Sequence, residues 1–281
     1  MYPAKFDYYR AGSVGEAITL LGQNPDAKII AGGHSLLPLM KLRLATPAAL
    51  VDIGRIEELK AIWEENGGVM IGALATHDRI ANSDAVKRVA PAVAEAAAHV
   101  GDQQVRNRGT IGGNIAHADP ASDLPTVLLA LDAEIVVQGP NGQRRIPAAD
   151  FFVDLMTTSM GANEILTGVF VPSAPKSAYV KYAHPASGYA MIGACAAVDM
   201  DGGSIRRARI AIGGATPTPR RLIGVEAGLI GQGLDFVPTV ASAAGEGIDD
   251  WMGDIQASAE YRRAIAPVFV ERAVKAAASR G

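Results

Sequence analysis

Up to residue 172, apolar residues recur in short runs that turn-forming residues separate. Continuous apolar runs predict buried strands, and apolar positions spaced by three and four predict helices. Ser13 and Thr76 stand where each can cap the first turn of a helix. The predicted helices cover about 14–21, a segment beginning after Thr76, 91–99 with Gly101 as the terminating cap, and 123–131; the predicted strands cover 27–31, 50–53, 69–71, 134–138 and 164–171.

The pattern changes after residues 171–176, where Pro172 and Pro175 predict a domain boundary. The runs 194–200 and 205–213 then flank Asp201-Gly202-Gly203, and this arrangement predicts a β-hairpin. The remainder is predicted to be mostly helical. Its last helix covers about 258–278, because apolar residues there follow helical spacing.

Composition excludes several classes of protein. A chain of 281 residues with 49% apolar residues can form two packed domains. Its net charge of −3, with no basic stripe, argues against a nucleic-acid partner. No apolar run approaches the length of a membrane span, and the first ten residues lack a signal core, so we expect a cytoplasmic protein. The single Cys195, expected to be a buried structural thiol, excludes cysteine-ligated zinc and iron–sulfur sites.

Two loops with paired glycines are the candidate binding elements. One reads Ala31-Gly32-Gly33-His34-Ser35 and the other Thr110-Ile111-Gly112-Gly113-Asn114. Glycine adopts positive φ and lets a ligand approach the backbone, and successive exposed amides form a concave anion site. Two such anion nests would suit the two phosphates of a dinucleotide, with hydroxyl and amide side chains as further donors. Spacing alone leaves open that both loops are ordinary turns.

Other polar residues have simpler interpretations. Neither glycine loop has the spacing of a P-loop or of a Rossmann fingerprint. His77 and His99 fall on predicted helices and are expected to be surface or capping residues, whereas His117 lies close to the second loop. Asp119 is expected to cap the helix that follows it.

Three longer segments resemble one protein family. These are Ala31-Gly-Gly-His-Ser-Leu-Leu-Pro-Leu-Met-Lys-Leu-Arg43, Arg108-Gly-Thr-Ile-Gly-Gly-Asn-Ile-Ala-His-Ala-Asp-Pro-Ala-Ser-Asp123 and Lys181-Tyr-Ala-His-Pro-Ala-Ser-Gly-Tyr-Ala190. Together they resemble the FAD-binding, medium subunit of molybdenum hydroxylases, in the carbon monoxide dehydrogenase and xanthine dehydrogenase family. The resemblance implies an α+β fold, with a FAD-binding domain of the vanillyl-alcohol-oxidase type over 1–172, in subdomains of about 1–54 and 55–172. It implies a C-terminal domain with a small antiparallel sheet and helices over 177–281.

The resemblance also implies FAD as the cofactor, with no catalytic residue and no metal on this chain. In the family, both glycine loops hold the FAD pyrophosphate, an aspartate contacts the cofactor, and further residues lie near the flavin ring. Tyr189 is a further candidate neighbour of that ring. The residues that match are Ala31, Gly32, Gly33, His34, Ser35, Thr110, Ile111, Gly112, Gly113, Asn114, Asp123, Leu166 and Lys181.

Family resemblance places the chain in a complex. It implies an electron-transfer subunit that takes electrons from two [2Fe-2S] clusters of a small subunit and passes them to an external acceptor. A large subunit holds the molybdenum cofactor, and the assembly is a dimer of heterotrimers. Two alternatives stay open: a free-standing FAD-dependent oxidase of the same fold, and a nucleotide-binding scaffold without redox function. The substrate of the complex and the acceptor are not specified by these motifs.

Substitution of Gly33 or Gly113 by valine tests whether the two loops bind the cofactor. Because a branched side chain would block the approach of a phosphate to the backbone amides, we expect either variant to lose bound flavin. The absorption spectrum of the purified variant measures this loss. A yellow, fully loaded variant would contradict the interpretation.

Overall fold

The computed structural model describes residues 2–280, in which strands and helices are mixed. The strands are β1 (Asp7–Arg10), β2 (Ala27–Ile30), β3 (Ala49–Asp52), β4 (Ile62–Glu65), β5 (Gly68–Gly72), β6 (Glu134–Gly139), β7 (Gly142–Pro147), β8 (Phe152–Asp154), β9 (Thr157–Thr158), β10 (Ile165–Pro172), β11 (Ser177–Ala183), β12 (Ala190–Asp201), β13 (Ser204–Gly213) and β14 (Arg220–Arg221). The helices are α1 (Val14–Gln23), α2 (Leu36–Lys41), α3 (His77–Asn82), α4 (Asp84–Val89), α5 (Pro91–His99), α6 (Gln103–Arg108), α7 (Ile111–His117), α8 (Asp123–Ala130), α9 (Ala148–Phe151), α10 (Ile223–Leu229), α11 (Val237–Ala241) and α12 (Ala259–Ala278).

The first sheet is parallel, with strand order β1-β3-β2. Helix α1 connects β1 to β2, and its N-cap Ser13 accepts a hydrogen bond from the Glu16 amide, as the sequence predicts. Helix α2 connects β2 to β3. The first glycine loop therefore lies at the carboxyl end of β2, the edge at which parallel sheets commonly bind ligands.

The second sheet is antiparallel, with strand order β4-β5-β10-β6-β7. Six helices, α3 to α8, lie between β5 and β6 in the chain. The segment that follows β5 pairs with the approach to the second glycine loop through a bridge between Thr76 and Thr110. This pairing fixes the second loop at one end of the second sheet.

The third sheet is antiparallel, with strand order β11-β12-β13-β14. Its central hairpin, β12 and β13, turns at Asp201-Gly202-Gly203 as predicted. Helix α12 packs against β11 and β12. Helix α8 is buried along its whole length, and Leu124 and Leu128 belong to a core that extends from the second sheet to Tyr179 and Cys195 in the third. This helix thus connects the two antiparallel sheets.

The α+β prediction is confirmed, and most predicted elements agree with the structure within two residues. One detail was wrong, because the second glycine loop is the beginning of a helix. Helix α5 ends at His99 with Val100 as its C-cap, and Gly101 follows with φ +47°, the position of the terminating glycine that the sequence predicts. Cys195 is buried, as predicted, and burial raises the pKa of its thiol. Among residues 2–280, no helix combines the length and the apolar character that crossing a bilayer requires. The domain boundary at 171–176 stays a prediction.

Truncation of Leu128 tests the connecting role of α8. Because this side chain is fully buried between the two sheets, we expect Leu128→Ala to lower the free energy of unfolding by about 2–5 kcal/mol. Chemical denaturation measures the change. The matched control is Val153→Ala, whose side chain is 55% exposed and whose loss should cost about 0.5 kcal/mol or less. Equal effects of the two variants would contradict this role.

Candidate functional site

A cavity of about 770 Å³ opens between the first sheet, the second sheet and the loop that follows β11. This volume is in the range of cofactor and ligand sites. Most residues predicted to form a site line the cavity, namely Ala31, Gly32, Gly33, His34, Ser35, Thr110, Gly112, Gly113, Asn114, Asp123 and Leu166. Ile111 and Lys181 do not line it, and their surroundings explain why.

The first glycine loop presents a run of free backbone amides. Among residues 2–280, the amides of residues 32–36 have no hydrogen-bond acceptor, although all five residues line the cavity. Gly33 has φ +77°, the conformation for which glycine was predicted. The His34 imidazole folds back, with Nδ1 3.1 Å from the carbonyl oxygen of Gly32. Successive unpaired amides of this kind form an anion site without a basic side chain.

In the second glycine loop the anion nest predicted from the sequence is wrong. Thr110 is the N-cap of α7 and accepts two amide hydrogens of the loop, and the segment after β5 accepts two more. The bonds are Ile111 N to Ala75 O at 3.1 Å, Gly112 N to Ala73 O at 2.9 Å, Gly113 N to Thr110 Oγ1 at 3.2 Å and Asn114 N to Thr110 O at 3.0 Å. Ile111 is also fully buried in the core, so neither its amide nor its side chain reaches the cavity.

Side chains are what the second loop offers the cavity. The Thr110 hydroxyl accepts the Gly113 amide and keeps its own proton to donate. The Asn114 side chain accepts a hydrogen bond from the Ser122 hydroxyl at 2.7 Å through Oδ1. This bond fixes the orientation of the amide and leaves its NH₂ group free. The loop therefore contributes two oriented donors.

Close packing surrounds three glycines of the two loops. A Cβ atom on Gly32 would overlap the Arg108 carbonyl group, with the carbonyl carbon 2.9 Å away. A Cβ atom on Gly112 would lie 2.7 Å from the Ala73 Cβ. At Gly113 the nearest atom would be the Thr110 Oγ1, at 3.0 Å. Gly32 and Gly112 thus let one backbone segment approach another, a reason for glycine that the sequence pattern does not reveal.

A buried ion pair closes one side of the cavity. Asp123, the first residue of α8, is 4% exposed; its Oδ2 lies 2.9 Å from the Lys181 Nζ, and its Oδ1 accepts the Tyr179 hydroxyl at 2.6 Å. Burial raises the pKa of Asp123, and the Lys181 ammonium and the Tyr179 hydroxyl oppose that rise. Lys181 also donates to the His99 carbonyl oxygen at 2.9 Å. Lys181 therefore contacts Asp123 from the side away from the cavity.

Tyr179 was not among the predicted site residues, although the sequence carries a signal for it. Tyr179 and Lys181 are two residues apart on β11, and alternate residues of a strand share a face. A predicted strand beginning at residue 177 would have placed both side chains on the same face.

Asp119 does not cap α8, because its carboxylate accepts the Ala121 amide at 2.9 Å and Ser122 is the N-cap.

Three further predictions concern residues beside the cavity. Tyr189 and His117 line it, as their sequence positions suggested. Tyr189 is 53% exposed, and partial burial together with the Asp119 charge raises its pKa. His77 was expected to be a surface or capping residue, and this was wrong, since it is 2% exposed and lines the cavity, and Thr76 is the cap of α3. Its amide donates to the Gly109 carbonyl oxygen at 3.0 Å. This bond places His77 beside the residue that precedes the second loop.

The remaining wall was not predicted. Met156, Thr158 and Met160 line the cavity from the β8–β9 hairpin and the turn after it. Glu164 holds this turn, because it accepts two hydrogen bonds from Arg144, at 2.7 and 2.8 Å, and one from the Gly161 amide at 2.7 Å. The Arg144 guanidinium correspondingly lowers the pKa of Glu164. A flexible, polarizable methionine surface suits a flat apolar ligand ring.

Comparison with known proteins assigns the family. Residues 4–174 match the family described as the FAD binding domain in molybdopterin dehydrogenase, and residues 177–277 match the CO dehydrogenase flavoprotein C-terminal domain. The chain belongs to this family of FAD-binding subunits. It is thus a subunit of an oxidoreductase, and FAD is its cofactor.

Similar members of the family have different substrates in their names. The chain is 40% identical to the carbon monoxide dehydrogenase medium chain of Hydrogenophaga pseudoflava, over 100% of this chain and 99% of that one. It is 39% identical to the glyceraldehyde dehydrogenase medium chain of Sulfolobus acidocaldarius, over 98% and 99%. The solved structure of carbon monoxide dehydrogenase from Hydrogenophaga pseudoflava, lacking the Mo-pyranopterin moiety, matches with a TM-score of 0.94 and 42% identity, covering 100% of this chain and 99% of that one.

The cavity of this FAD-binding subunit fits its cofactor. Its volume accommodates a dinucleotide, and the unpaired amides of residues 32–36 supply neutral donors for a diphosphate. The methionine-lined wall and Leu166 provide apolar surface for a ring system. Fit therefore rests on the free amides and the shape, and it requires no lysine at the phosphates.

Alanine at Gly32 tests the contact between the loops. Since the added Cβ would overlap the Arg108 carbonyl group, the free amides must shift, and we expect Gly32→Ala to weaken FAD binding by about tenfold or more. Quenching of flavin fluorescence measures the affinity. Gly15→Ala is the control, because nothing lies within 4 Å of its added Cβ. Equal affinities of both variants and the unmodified chain would contradict this explanation.

Proposed function

We propose that this chain is the FAD-carrying electron-transfer subunit of a heteromeric molybdenum hydroxylase. The observation that carries the proposal is the run of unpaired amides at residues 32–36, facing a cavity of dinucleotide size in a chain of the FAD-binding family. Bound FAD would supply the redox chemistry, an electron relay from the [2Fe-2S] clusters of a partner subunit to an external acceptor. The protein binds and orients the cofactor.

The first loop holds the pyrophosphate in this proposal. The backbone from Ala31 to Ser35 surrounds it, and the amides of Gly32, Gly33, His34 and Ser35 donate to the phosphate oxygens. Neutral donors that are already in place need little reorganisation when the anion binds. Gly32 brings the first loop against Arg108, and Gly112 packs the second loop on Ala73, so that the side chains of the second loop complete the site.

Side chains around the cavity take the other roles. The Thr110 hydroxyl and the Asn114 amide donate to the cofactor, and their orientation is set by the bonds to the Gly113 amide and Ser122. Asp123 contacts the cofactor, and Lys181 acts on the cofactor through Asp123. Leu166 packs near the flavin ring. Ile111 has only a core-packing role in the proposal, because its amide and side chain are occupied elsewhere.

Partner subunits complete the proposed complex. The relatives named above are medium chains, which fits an assembly with a large molybdenum-cofactor subunit and a small iron–sulfur subunit. We propose a dimer of such heterotrimers in the cytoplasm. Residues 1–172 form the FAD-binding domain, with subdomains of about 1–54 and 55–172, and residues 177–281 form the C-terminal domain. The substrate is determined by the large subunit.

Reconstitution tests the division of labour. We expect the purified full chain to bind FAD and to show no substrate-dependent turnover, because it lacks the centre that oxidises the substrate. Turnover should appear when the co-purifying partner chains are added back. Flavin spectra and acceptor reduction measure the two properties. Substrate oxidation by the isolated chain would overturn the proposal in favour of a free-standing oxidase.

A further inference from the structure

His77 is a buried polar residue to which the proposed function gives no role. Its residue exposure is 2%, and its Nδ1 atom is buried without a hydrogen-bond partner among the described residues. No hydrogen bond is formed by its Nε2 atom within that part of the chain either. Buried polar groups are usually paired, so an imidazole with two unpaired nitrogens beside a cavity points to a missing partner.

The position of His77 brings it to the place where the two glycine loops meet. Its amide is bonded to the Gly109 carbonyl oxygen, and a Cβ on Gly109 would lie 2.9 Å from the ring Cδ2 and 3.1 Å from Nε2. Gly32 packs against the neighbouring carbonyl group of Arg108. The ring therefore lies beside the backbone that presents the free amides, and it lines the same cavity.

The protonation state of the ring defines what it can offer. Burial, with His34 and Arg106 adding nearby positive charge, lowers the pKa of His77 to about 4, so the ring is neutral near pH 7. A neutral imidazole has one N–H donor and one acceptor nitrogen. Nδ1 is the ring nitrogen that is buried without a partner, and an unpaired buried N–H costs more free energy than an unpaired acceptor. The proton therefore belongs on Nε2, and Nδ1 is the unpaired acceptor.

We propose that the Nε2–H group of His77 donates a hydrogen bond to a pyrophosphate oxygen of bound FAD. A phosphate oxygen only accepts, which matches the single donor on the ring. The His77 N–H group thus adds one donor, from the side of the second loop, to the free amides of the first loop. This inference rests on the proposed function, since it requires FAD in this cavity.

Two substitutions separate the hydrogen bond from the packing of the ring. His77→Leu removes both nitrogens, and His77→Gln retains a donor near the position of Nε2. Because a hydrogen bond to a charged group is lost, we expect His77→Leu to raise the Kd for FAD by about 10- to 100-fold. His77→Gln should bind within a few-fold of the unmodified chain. The control is Ile255→Ala, whose side chain is exposed and lies outside the cavity. An unchanged Kd in His77→Leu would overturn the inference.

Fragments of the cofactor show which part His77 contacts. ADP carries the pyrophosphate without the flavin, and riboflavin carries the ring without phosphates. In competition with FAD, His77→Leu should weaken binding of ADP and leave that of riboflavin unchanged; the reverse pattern would refute a phosphate contact. If the unmodified chain binds neither FAD nor ADP, the proposed function itself fails, which is a distinguishable result.

An observation on the unmodified chain avoids dependence on variants that fail to fold. In ¹⁵N-labelled full chain, the imidazole Nε2 resonance of His77 should shift when ADP is added, because its proton gains an acceptor. The resonance of His99 should stay in place. An Nε2 resonance of His77 that does not move at saturating ADP would contradict the contact.

Discussion

The contact between two backbone segments, at Gly32 and Arg108, is the constraint on which the site depends. The first segment follows β2 of the parallel sheet, and the second is the end of α6. They approach so closely that no side chain fits between them. This contact positions the free amides of one loop opposite the hydroxyl and amide side chains of the other. The first loop therefore supplies the free amides, and its packing against the segment before the second loop adds the side-chain donors.

The two loops look equivalent in sequence and differ in chemistry. Both have paired glycines followed by a polar residue, yet one keeps its amides free and the other uses them in a helix cap and in pairing with residues 73–77. Which loop remains unpaired depends on a partner more than thirty positions away in the chain. A local pattern cannot carry that information, because backbone donors are satisfied by whatever segment the fold brings near.

Local patterns predicted the fold well where a single element determines its own conformation. Helix α1 with its Ser13 cap, helix α5 and the β12–β13 hairpin follow from periodicity and turn residues alone. The short helix α7 was missed since two glycines disfavour helix and its stability comes from tertiary contacts. The burial of His77 was missed because it arises from segments that are distant in the chain, whereas Tyr179 shares a face of β11 with Lys181 and so left a signal in the sequence.

One carboxylate joins two parts of the molecule. Asp123 lies at the cavity on α8, and the groups that hold it, Lys181 and Tyr179, belong to the third sheet. A ligand that favours one position of this carboxylate also favours one position of β11. By thermodynamic reciprocity, the position of β11 alters the affinity for the ligand. Strand β11 thus bears on the cavity through Asp123 although it does not line the cavity itself.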